Sequence, residues 1–131
     1  MNVFSYRYID DIFMTSNEPM DIIMKQLNTA AIKDVNIKIN YDIDTSVNFL
    51  HVTINNEEGR LRTSVYHKSA AEPYILPYTS DHPRHIHRNI PYAALLRAAR
   101  LCSNVEDFDA ECIRMDVSLL LNDYSPSFIK V

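Results

Sequence analysis

"FSYRYIDDIFMTS", residues 4–16, sets two adjacent aspartates, Asp10 and Asp11, inside an apolar and aromatic run. Strands avoid Asp, and burying two neighbouring carboxylates is costly unless a cation compensates. The pair therefore reads as a two-residue connection between strands over 3–9 and 12–15, which makes the stretch a β-hairpin.

Outward from the hairpin, the pattern changes period. Ser16 or Asn17 can cap a helix, and Pro19 fits its first turn. Met20, Ile23, Met24, Leu27 and Ala31 then form one apolar stripe, expected to pack into a core. "NIKINY", residues 36–41, alternates Ile37, Ile39 and Tyr41 against polar residues and predicts a half-buried strand. "VNFLHVTI", 47–54, predicts another. "NNEEG", 55–59, is a turn, and "RLRTSVY", 60–66, closes a second hairpin with Arg60 and Arg62 on one strand. Residues 67–83 contain Pro73, Pro77 and Pro83 and read as a connecting loop. Beyond it the chain looks helical. Pro91 is expected to open a helix to about Leu101 that buries Ala94, Leu95, Ala98 and Cys102. "SNVE", Ser103 to Glu106, has the capping-box form, and Phe108, Cys112, Met115 and Leu119 continue an apolar face to "DYSP" at 123–126. The fold class expected is α+β, with a mixed unit over 1–80 and a small helical, helix-turn-helix-like unit over 81–131.

Composition narrows the function. Hydrophobic residues make up 47%, enough for a packed core. No apolar run reaches the ~18 residues of a membrane span, and no signal peptide is visible, so an intracellular protein without a membrane partner is expected. The single glycine, Gly59, excludes glycine-rich phosphate loops. Charge is uneven. Residues 1–59 carry 4 basic and 9 acidic side chains, 60–100 carry 7 and 2, and 101–131 carry 2 and 6, for −5, +5 and −4. A basic block inside an acidic chain is a candidate phosphate-binding patch. Its members are Arg60, Arg62, Lys68, Arg84, Arg88, Arg97 and Arg100. "HPRHIH", 82–87, puts three histidines beside these arginines. With Cys102 and Cys112 ten residues apart, the set lacks the paired spacing of zinc sites, and phosphate contact or helix capping suits it better.

A carboxylate pair on a hairpin tip suits Mg²⁺, which takes hard oxygen ligands and leaves part of its shell to substrate. "YIDD", Tyr8 to Asp11, resembles the Tyr-x-Asp-Asp motif of reverse transcriptases. "FLHVTI", "GRLRTSVYHKS", "SDHPRHIHRNIPYAALLRAARLCS" and "LLLNDYSPSFI" resemble the enzymes of Penelope-like retroelements over nearly the whole chain. The resemblance implies that 1–80 is the C-terminal part of a reverse-transcriptase palm with its primer-grip hairpin, and 81–131 a helical thumb. It implies Asp10 and Asp11 as catalytic metal ligands for Mg²⁺ (or Mn²⁺), and Tyr8 beside the primer terminus. RNA template and DNA primer, as an RNA–DNA hybrid, would be the partners, and the nucleus the compartment. The family also requires an aspartate on an earlier palm strand and nucleotide-binding fingers, so this fragment is expected to be inactive alone. The alternative is a non-catalytic nucleic-acid-binding helical module, or a decayed retroelement remnant, in which the arginines matter and Asp10 does not.

Overall fold

The structure is a computed structural model that describes residues 4–34, 36–69 and 75–129. These form two antiparallel sheets and four helices. Strands β1 (Ser5–Tyr8) and β2 (Asp11–Met14) pair as a hairpin in the register Tyr6 with Phe13 and Tyr8 with Asp11. The two connecting residues are thus Ile9 and Asp10, while Asp11 opens β2. The aspartate doublet is therefore split between turn and strand instead of forming the turn. Ile9 takes φ 51°, the left-handed region that suits glycine at the first position of such a turn. Val3 lies outside the described residues.

Helix α1 (Met20–Lys33) begins on Pro19 as its N-cap, without a side-chain cap. Ser16 instead accepts a hydrogen bond from the Glu18 N–H at 3.1 Å. No residue of α1 is buried, so the stripe from Met20 to Ala31 does not enter the core of the described residues. Residues 37–43 form no strand and pair with none among the described residues, and Ile37 and Tyr41 stay exposed. Period-two alternation makes a strand only where a neighbouring edge is offered. Here the Tyr41 hydroxyl donates instead to Asn28 of α1, at 3.3 Å.

The second sheet has the order β3 (Ser46–Phe49), β4 (Val52–Glu57), β5 (Arg60–Val65). The run 47–54 is two strands. It folds back at Leu50-His51, since Phe49 pairs with Val52 and Leu50 takes φ 56°. The Glu58-Gly59 turn has positive φ at both residues, the geometry that favours glycine second. Phe49 joins the two sheets. Its ring lies 6.0 Å from Tyr6 and 5.9 Å from Phe13, a cross-strand pair of the first hairpin.

The best-buried part of the molecule is helical. Helix α2 (Arg84–Leu101) runs through Pro91 instead of starting there. Proline removes one helical hydrogen bond and crowds the carbonyl four residues back. The segment before it is held by tertiary contacts: His87 is buried, and Ile90 packs on the core. Helix α3 (Val105–Leu121) is capped by Asn104, whose side chain accepts from the Asp107 N–H at 2.9 Å. The cap is thus one residue later than the capping-box reading, and Ser103 does something else, described below. A last turn, α4 (Pro126–Ile129), follows. Met115, Leu119 and Tyr124 form the core, with Ile75, Ile90, Ala94, Leu95 and Phe128 against it.

The end of α3 shows why the chain turns back. The Tyr124 N–H donates to the Leu119 carbonyl at 3.1 Å and the Asp123 N–H to that of Leu120 at 3.2 Å, the bond pair of a Schellman motif. Asp123 sits at φ 65°, where glycine is preferred. Asp123→Gly should therefore stabilise the protein by about 1 kcal/mol, read as a rise in urea midpoint at unchanged slope. A lower midpoint would show that the aspartate side chain contributes more than its backbone costs.

Candidate nucleic-acid interface

Strand β5 fastens the sheet to the helices. The Ser103 N–H donates to the Thr63 carbonyl and the Thr63 N–H to the Ser103 hydroxyl, each at 2.9 Å. Arg62 forks onto Asp107 of α3, with Nε at 2.8 Å and an amino nitrogen at 2.9 Å from the two carboxylate oxygens. His67 meets both oxygens of Glu111 at 2.8 Å. Bidentate guanidinium–carboxylate pairs are among the stronger polar contacts, so Arg62 is committed to the fold.

That hydrogen bond holds the Asp107 carboxyl below its ordinary range, against a smaller opposing effect of burial. A depressed folded pKa contributes stability above the unfolded value, about 3.9, and loses it as pH falls through the folded value. Asp107→Asn should lower the melting temperature at neutral pH. The gap to wild type should close as pH drops below about 4. A gap constant with pH would show that the ion pair contributes nothing through its charge.

The remaining cations separate into groups. Helix α2 carries Arg84, Arg88, Arg97 and Arg100 and no acidic residue. Arg88 and Arg97 are nine residues apart; at 3.6 residues per turn that is about two and a half turns, so the two arginine pairs face opposite flanks. The six arginines of the basic block therefore do not make one row. Arg60 is exposed beside the Glu58-Gly59 turn, and Lys68 is exposed after β5. Tyr8 is exposed on the first hairpin.

Arg97 and Arg100 do share a site. With His51 they rim a groove of about 420 Å³ between α2 and the β3–β4 turn. Leu50, Val52, Ala93, Leu96 and Leu101 supply its apolar lining. Neither arginine has a salt-bridge partner among the described residues. The groove was not visible as a unit in the sequence, because three of its eight lining residues come from around a turn hidden inside an apparently continuous strand.

Helix α3 is of opposite sign: Glu106, Asp107, Asp109, Glu111 and Asp116 against Arg114. Only three residues, Cys102 to Asn104, separate it from α2. This spacing is that of a helix-turn-helix. Burial raises the pKa of both thiols, Cys102 and Cys112, so each favours the protonated form.

Asp10 and Asp11 are both exposed at the hairpin tip. Among the described residues, no group of three or more His, Cys, Asp or Glu side chains could hold a metal ion. Two carboxylates on a solvated turn do not by themselves make a Mg²⁺ site. No described helix is long and apolar enough to cross a membrane.

Comparison with known proteins corrects the functional expectation. No curated protein and no solved structure matches the chain. Nothing links the two sheets to a reverse-transcriptase palm, and the resemblance to Penelope-like reverse transcriptases is set aside. That resemblance was drawn from separate blocks along nearly the whole chain, whereas the match that overturns it spans the helical unit continuously. Residues 74–130, which contain α2, α3 and α4, match the model of the animal helix-turn-helix domain.

Proposed function

We propose that the helical unit is a nucleic-acid-binding module that contacts duplex DNA through the basic helix α2. The match of residues 74–130 to the animal helix-turn-helix domain carries this reading. In helix-turn-helix proteins the second helix ordinarily lies in the major groove. Here α3 carries five acidic side chains and one arginine, and would meet the phosphates with repulsion. Helix α2 carries four arginines and no acid. Arg97 and Arg100 are the best placed, because they line one groove together and neither has a salt-bridge partner among the described residues.

The contacts expected are to phosphate, and phosphate contacts position without reading sequence. Asp10 and Asp11 take no part. Fluorescence anisotropy of labelled duplex DNA across a salt series is the test. Two to four phosphate contacts predict log K falling linearly against log salt with a slope of about −2 to −4. Sequence should matter little, and Asp10→Asn should bind as wild type does. Absence of binding at low salt, or a slope near zero, would overturn the reading.

A further inference from the structure

Helix α3 turns a second surface to solvent. Val105, Ile113, Val117, Leu120 and Leu121 are all exposed, Ile113 by 64% and Leu121 by 74%. Val105, Asp109, Ile113, Val117 and Leu121 follow one another at intervals of four residues, so they form one row along the helix. Its Ile113, Val117 and Leu121 lie opposite Met115 and Leu119, which face the core. Asp109 lies within it, with Asp116 on one side and Arg114 on the other, and none of the three has a salt-bridge partner among the described residues. An exposed, mostly apolar row of this kind, rimmed by charge, marks an interaction surface.

The groove on α2 is its complement: an apolar lining, rimmed by Arg97, Arg100 and His51. No residue of α3 lines that groove, so the two surfaces do not meet within one chain. We infer that the acidic apolar row of α3 docks into the basic groove of a second copy of this chain. Charge selects this occupant. Pairing α3 with α3 would set Asp109 and Asp116 against their own copies, whereas α3 on α2 sets them against Arg97 and Arg100. Two different patches in contact make a head-to-tail association, which grows into chains or closes into a ring. The inference does not rest on DNA binding, although a neighbouring copy and DNA would compete for the same two arginines.

Sedimentation equilibrium of the full chain at low salt, without nucleic acid, tests it. Wild type should self-associate and dissociate as salt rises. Arg97→Glu with Arg100→Glu should weaken association about tenfold or more, and so should Asp109→Lys with Asp116→Lys. Circular dichroism confirms that both remain folded. Mixing the two variants should restore association, because each groove then meets an α3 row of opposite sign. The lysine variant should still bind DNA at least as tightly as wild type, which separates this inference from the functional one. A wild type that stays monomeric at low salt leaves the α3 row to a foreign partner and overturns the proposal. So does association that survives the groove reversal, which would indicate pairing of like faces.

Discussion

Replacing both Arg97 and Arg100 by alanine should flatten the salt dependence of DNA binding by about two units, at about 0.9 per phosphate contact. If the two proteins bind equally at about 1 M salt, the same arithmetic gives a loss of roughly sixtyfold at about 0.1 M. The effect is large because neither guanidinium has a salt-bridge partner among the described residues. Arg62→Ala should behave differently. Its guanidinium is held by Asp107, so the change should lower stability more than binding. Anisotropy on the same duplex, with thermal melts of each variant, separates the two outcomes. A double variant with wild-type slope would place the phosphate contacts elsewhere, with Arg84 and Arg88 on the other flank the first to examine.

Tyr124→Ala should cost the helical unit more stability than any change on its surface. Tyr124 is 2% exposed. Its hydroxyl donates to the Leu76 carbonyl and accepts from the Nδ1–H of His87, both at 2.9 Å. The ring packs on Tyr78 and Phe128, with centroids 5.2 and 5.3 Å away. Truncating a buried aromatic costs about 3–5 kcal/mol, and orphaning the His87 donor and the Leu76 acceptor adds about 1–3 kcal/mol. Domains of this size are stable by only about 5–15 kcal/mol, so much of the helical signal should be lost at ambient temperature. Tyr124→Phe keeps the ring and should lose about 1–3 kcal/mol. Urea titrations followed by far-ultraviolet circular dichroism give both values. A loss below about 1 kcal/mol for Tyr124→Ala would contradict the burial seen here.

Local signals were legible in the sequence where one segment decides its own structure. The first hairpin, the helix after Pro19, the 60–66 strand and the face of Ala98, Met115 and Leu119 all follow from spacing. What the sequence concealed depends on partners far along the chain. The break at Leu50-His51 interrupts a β-branched and apolar run without glycine or proline, so no turn signal marks it. Helix α2 begins before Pro91 because His87 and Ile90 are anchored by α3 and the turn after it. Ser103 looked like a cap and is a rung of β5. The interface followed the same division. Its arginines were visible as a basic block, but their sorting into a fold-bound Arg62, two flanks of α2 and one groove required the fold. The aspartate doublet drew attention by its place on a hairpin tip and by the YIDD motif. A catalytic site needs several segments to converge, and among the described residues no third ligand joins Asp10 and Asp11.

Whether α2 or the second helix α3 faces the nucleic acid is decided by one measurement. A titration of the isotope-labelled full chain with a short DNA duplex, followed by amide chemical shifts, tests it directly. Done on the Asp109→Lys, Asp116→Lys chain, which should not self-associate, the titration should concentrate shifts on Ala93 to Leu101 and on Leu50 to Val52, while Val105 to Leu121 stay nearly unmoved. Shifts confined to α3, with the groove residues silent, would contradict the account.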